Sequence, residues 1–316
     1  LSYKVYWNNI CLLSNMEEAF INTQQKIQKH FPFTFEYYGL GKPSSMTVKI
    51  KEDIQAGNIG GDIIVSTDLD IYQDVTIAKY LQNEFKKSSS LLPINEHLFN
   101  TTIPHPEQYF HPFVVIPLVM VVNSNLVKES EMPKAFEDLI SPNFKYRYAF
   151  GGIHNSAGRS LLKSLWYMYG KKTVEKFLSG ATITTMPAQA FQQVMTGQVE
   201  VAIVPTIFAL RKGVNGIKAI WPKEGAIPIP SYVACKNNVS EEDFSLFVDN
   251  ILGKEFQLQL KNAGDIIPSH PELSISSFAM ENDCKLLYPE WEFFKTFDHE
   301  EFYNQCNSFY HLLKAQ

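Results

Sequence analysis

Short β-rich apolar runs separated by amphipathic stretches set the rhythm of the first hundred residues. Residues 3–7 read as a strand. From Asn15 to His30, Met16, Phe20 and Ile27 fall on one helical face, with Ser14 or Asn15 placed as a cap. Residues 33–38 predict the next strand, ended by Gly39. Ser44 or Ser45 then caps a helix reaching about Gln55, and Gly57 stops it. Residues 62–66 form a continuous apolar run of the kind a parallel sheet buries on both faces. Strand and helix in alternation predict an α/β lobe with crossovers.

The middle of the chain repeats the style. Residues 113–122 are apolar, broken by Pro117, too short for a membrane helix and β-rich enough for a long strand. A short helix is expected at 133–140, a strand at 146–152 and a helix from about Gly158 to Tyr169. Helices at 172–178 and 188–196 and strands at 183–186, 199–204 and 217–221 complete a second α/β unit. Residues 228–234 are again extended, and from Ser240 the pattern is mostly helical. Two extended segments joining two α/β units predict two crossings between lobes. Lobe 1 is then discontinuous, 1–113 plus 236–316, lobe 2 covers 114–235, and the hinges lie near 113–122 and 227–235.

Composition narrows the classes. The 316 residues suit two lobes better than one core. A net charge of -5 and a pI near 5.9 argue against a nucleic-acid surface. No run of 18 apolar residues exists to span a bilayer. The chain opens on a strand pattern, so either it is cytosolic or a leader has been removed. Cys11, Cys235, Cys284 and Cys306 form no Cys-x-x-Cys pair; buried free thiols are the default, with a Cys284–Cys306 pair as the alternative.

The strongest constellation runs from Phe150 through Gly151, Gly152, Ile153, His154, Asn155, Ser156, Ala157, Gly158 and Arg159 to Ser160. A strand ends, small residues follow and a helix begins, so free N–H groups carrying partial positive charge face outward. Arg159, one of only three arginines, adds a planar set of donors. The competing reading is an ordinary capped helix with Arg159 in solvent. A second loop, Gly39-Leu40-Gly41-Lys42-Pro43-Ser44-Ser45, fails the Walker spacing but supplies Gly41, Lys42, Ser44 and Ser45 as contacts or as a plain turn and cap. Ser66, Thr67 and Asp68 follow a buried strand, where ligand lining competes with helix capping. Asn8 and Thr206 stand as further candidates, because open α/β sheets bind ligands beyond the carboxyl ends of their strands. Catalytic motifs are wanting: neither Gly-x-Ser-x-Gly nor His-Glu-x-x-His occurs, and His105, His111 and His154 read as scattered polar surface. No metal ligand set and no cofactor is implied; the Asp68, Asp70, Asp74 spacing lacks the glycine of a calcium loop.

At these residues the chain resembles the type II extracytoplasmic solute-binding proteins of ABC importers, the group that includes ferric-ion, polyamine, thiamine and phosphonate or sugar-phosphate binders. The matching stretches are 61–68, 117–123, 136–144, 149–162 and 197–204, with a late Ala-Gly-x-x-Pro turn echoed at 263–268. The resemblance implies a two-lobed α/β fold with a cleft between lobes and a secreted or lipid-tethered, monomeric receptor. Its partners would be a small solute and an ABC permease. A ligand-sensing domain, or an enzyme on the same scaffold, is the alternative. Ferric-ion members carry adjacent tyrosines near the segment that here reads 204–211, where this chain has none; its Tyr37-Tyr38 pair lies in the first lobe. The expected solute is therefore an organic anion: a phosphate ester, phosphonate or carboxylate.

Overall fold

In β1 (Tyr3–Asn8), Tyr3, Val5, Tyr6 and Trp7 are buried and Lys4 faces solvent, the pattern of a strand flanked on both edges and covered on both faces. The computed structural model describes residues 2–39, 42, 45–87 and 94–314, and these form two units. Unit 1 takes the described residues of Leu1–Val115, with Pro230–Ala263 and Ile267–Ser274. Unit 2 takes Ile116–Ile229, Gly264–Ile266 and the described residues of Ile275–Gln316.

After β1 come α1 (Ser14–Ile27), β2 (Phe33–Tyr38), α2 (Met46–Gln55), β3 (Ile63–Ser66), the short α3 (Asp70–Gln73), α4 (Val75–Glu84), the short α5 (Glu96–Phe99) and β4 (His111–Asn123). Strands β2 and β3 both pair parallel to β1. Their carboxyl ends therefore share one edge, and α1, α2 and α3 all start there. The helix expected from Asn15 begins at Ser14, but its cap is not a hydroxyl. Leu13 holds the cap position without a side-chain bond. Glu17 instead turns back from the first helical turn to accept the Ile10 N–H at 2.8 Å.

Unit 2 is built from β5 (Tyr148–Phe150), α6 (Ser156–Tyr169), α7 (Lys171–Gly180), β6 (Ala181–Ile183), α8 (Pro187–Met195), β7 (Val201–Pro205), the short α9 (Thr206–Ala209) and β8 (Ile217–Ile220). Strands β6 and β7 flank β5 in parallel, while β4 runs antiparallel to β7 and β8. Where a short helix was expected at 133–140 there is only a 3-10 turn at Glu137–Ile140. The chain leaves unit 1 inside β4, between Val115 and Ile116, and returns inside β9 (Ile227–Cys235), between Ile229 and Pro230. Pro117 lies in β4 between its ladders with β10 (Ile267–Pro268) and β7. Val114 and Val115 pair with β10, and the pairing with β7 starts at Leu118.

Helices α10 (Glu241–Ile251) and α11 (Lys254–Gly264) complete the unit 1 core: Phe256 stacks on Phe20 at 4.6 Å, and Phe247 meets Phe33 at 5.1 Å. The chain ends in the short α12 (Ser277–Met280), α13 (Trp291–Thr296) and α14 (His299–Lys314). Residues 275–316 were expected with the first lobe, but their described part belongs to unit 2. The cause is an aromatic cluster on α6, where Trp166 packs edge-on against Phe297 and Phe302, and Tyr167 against Phe293. All four cysteines are free, and burial pushes the Cys284 and Cys306 thiols up to about 11 and about 12.

Candidate functional site

Parallel pairing of β5, β6 and β7 brings the segments after Phe150, Ile183 and Pro205 to one edge of unit 2. The first of these turns into α6 two residues earlier than the expected Gly158. Asn155 is the cap: its Oδ1 accepts the Gly158 N–H at 3.0 Å, and its Nδ2 donates to Gly151 O and, at 3.2 Å, to Thr185 O. With the third turn donor taken by the cap, the Ser156 and Ala157 N–H groups have no acceptor inside the helix. The turn is folded so tightly that a Cβ on Gly158 would lie 1.3 Å from Gly152 O, and Gly152 itself has φ +55°. Small residues are thus required here by backbone contact.

Arg159 is half-buried and its Nη1 donates to Ile153 O at 3.3 Å, which folds the guanidinium back over the loop. No acidic residue occupies the first turn of α6. Ser160 and Thr206 are different. Both hydroxyls are buried and committed to backbone, Ser160 to Pro228 O at 2.6 Å and Thr206 to Gly264 O at 2.8 Å. Of the three histidines read as polar surface, only His154 is exposed; His105 and His111 are buried. His105 packs on Phe110 at 4.9 Å, and burial lowers His111 to about 4.

In unit 1 the shared edge gathers Asn8, Lys42, Ser45, Ser66, Thr67 and Asp68; Gly41 and Ser44 lie outside the described residues. Thr67 Oγ1 donates to Asn8 Oδ1 at 3.0 Å, and Ser66 Oγ accepts the Asp68 N–H at 2.9 Å. Ser45 caps α2 through the Val48 N–H at 3.2 Å. Lys42 pairs with Glu18 at 3.3 Å and lies 5.6 Å from the Tyr37 ring centre. Sequence reasoning missed Glu17 and Asn9 at this edge. Glu17 accepts from Trp7 Nε1, Asn9 Nδ2 and the Ile10 N–H, yet burial pushes its carboxyl up to about 8. The signal was an acidic residue in the first turn after an Asn-Asn strand end. Among the described residues, no three His, Cys, Asp or Glu side chains cluster as a metal site.

Residues 61–297 match the family described as bacterial extracellular solute-binding protein. The chain belongs to that family. No curated protein matches the sequence. Among solved structures, this solute-binding protein is similar to the ferric binding protein from Campylobacter jejuni, at 17% identity, TM-score 0.68 and coverage of 89% of this chain and 90% of that one. It is also similar to iron-bound HitA from Pseudomonas aeruginosa, at 14% identity, TM-score 0.67 and coverage of 88% and 89%. A third is the periplasmic binding protein AfuA from Actinobacillus pleuropneumoniae with exogenous fructose-6-phosphate bound, at 16% identity, TM-score 0.67 and coverage of 97% of both chains. At these identities the likeness is one of fold, and the fold is that of the type II periplasmic binding proteins.

Proposed function

We propose that this solute-binding protein captures a small organic anion and delivers it to an ABC permease, as a secreted or lipid-tethered receptor without catalytic activity of its own. The observation that carries the reading is the first turn of α6. Two N–H groups without an acceptor inside the helix, a half-buried arginine and a first turn free of acidic residues together favour a phosphate, phosphonate or carboxylate. The phosphate ester bound by AfuA is consistent with that chemistry. A bare ferric ion fits less well. The segment through α9 has no tyrosine, and Tyr38 in β2 is buried, its hydroxyl bonded to Glu36. On unit 1 the proposed ligand contacts are Asn8, Lys42, Ser45, Ser66, Thr67 and Asp68; on unit 2 Ser160 and Thr206 act through the backbone. Thermal shift against a panel of small solutes, with turnover assayed in parallel, tests this. Stabilisation by an organic anion that is recovered unchanged is expected, and consumption of the bound solute would overturn the receptor reading.

A further inference from the structure

A groove of about 430 Å³ opens in unit 2, lined by Ile183, Thr184, Thr185, Gln189, Gln192, Gln193 and Gln198. No ionisable side chain lines it. It runs from the carboxyl end of β6 along α8 to Gln198, ahead of β7, and Gln189, Gln192 and Gln193 fall at helical i, i+3 and i+4 positions on one face. Two lining side chains are occupied by local structure: Thr184 Oγ1 bonds Phe150 O and Met186 O, and Gln189 Oε1 accepts the Thr185 and Met186 N–H groups. The others are available. Thr185, Gln192 and Gln198 are exposed, and Gln193 Oε1 is an acceptor out of solvent with no partner. The groove also adjoins the α6 turn. Thr185 O accepts from the Asn155 side chain at 3.2 Å, and a Cβ on Gly151 would lie 2.5 Å from Pro187 N.

We propose that this groove is a specificity subsite for the uncharged, hydroxyl- or amide-bearing body of the solute, with Thr185, Gln192, Gln193 and Gln198 as its contacts. The inference rests on the anion reading of the α6 turn, since the groove begins where that turn ends. Carboxamides each present two donors and an acceptor, and hydroxyls present both roles, so the wall matches a ligand dense in O–H or N–H groups. An apolar body would leave these amides unpaired, which costs affinity. A charged body would find no counter-ion.

The test is calorimetry with three probes, inorganic phosphate, glucose 6-phosphate and glucose, on the wild type, Arg159→Ala and the double variant Gln192→Ala/Gln198→Ala. Both glutamines are exposed, so the double variant keeps its fold, checked by its melting temperature. Glucose 6-phosphate is expected to bind wild type at least ten times more tightly than phosphate. The double variant should lose most of that margin and leave phosphate affinity unchanged, and Arg159→Ala should weaken both anions. If phosphate binds but the sugar ester gains nothing, or the double variant changes neither or both equally, the subsite is wrong and the anion site stands. If glucose binds as tightly as its phosphate and the double variant abolishes both, the anion site is wrong and the groove stands. If none of the three binds, both assignments fall.

Discussion

Arg159→Ala should weaken binding of an anionic solute by about 1.5–3 kcal/mol, the range for a charge-assisted hydrogen bond. Arg159→Lys should recover only part, because a point charge does not copy a planar fork. Titration calorimetry reads both. Gly158 belongs to the same turn. With Gly152 O occupying the place of its Cβ, Gly158→Ala should destabilise by about 1–3 kcal/mol or more in urea unfolding. His111 gives a pH test. Its folded value near 4 lies below the ordinary 6.5, so the unfolded chain binds the extra proton between those limits. Its contribution is fully present above about pH 6.5 and is lost as pH falls through 4, a total of about 3 kcal/mol. His111→Phe should flatten that window in urea titrations at successive pH values; an unchanged slope would assign the acid sensitivity elsewhere. The strand-to-helix turn after Phe150 was legible in the sequence because glycines and small residues occur together there, but the Asn155 cap was not. Nor was the burial of His111, because it depends on packing from distant parts of the chain.

At the scale of elements, the period of the apolar residues placed most strands and long helices, and it failed where a side chain from another position took over a local role. α1 shows this: Ser14 was available as a cap, yet Glu17 reaches back to the Ile10 N–H and Leu13 takes the cap position. β6 ends at Ile183 and not at Met186, because Gln189 from α8 claims the N–H groups of Thr185 and Met186 and bends the chain out of the sheet. The same glutamine row made the groove invisible beforehand: read along the chain it is only the polar face of a helix. The Asn155 cap is the element-scale prediction. Asn155→Ala should cost about 1 kcal/mol of stability in chemical unfolding. It should also weaken anion binding, since it releases Thr185 O, Gly151 O and the Gly158 N–H together. A loss of stability with unchanged affinity would make the cap purely structural.

For the whole molecule, the order of strands and helices was enough to anticipate two α/β units, and the extended runs at 113–122 and 227–235 lie where β4 and β9 pass from one unit to the other. The placing of 275–316 was not legible. Helical periodicity says which face of a segment is apolar but not which partner covers it, and the aromatic cluster on α6 decides that. The family resemblance implies hinge rotation about those two passages on solute binding. X-ray scattering should therefore show a smaller radius of gyration at saturating solute, and an unchanged radius would count against closure. The central claim, an anion held at the first turn of α6, is tested most directly by calorimetry on wild type and Arg159→Ala with the same phosphate ester. The account predicts tenfold or greater loss of affinity with an unchanged melting temperature for the free protein. Equal affinities would remove the anion site from this turn.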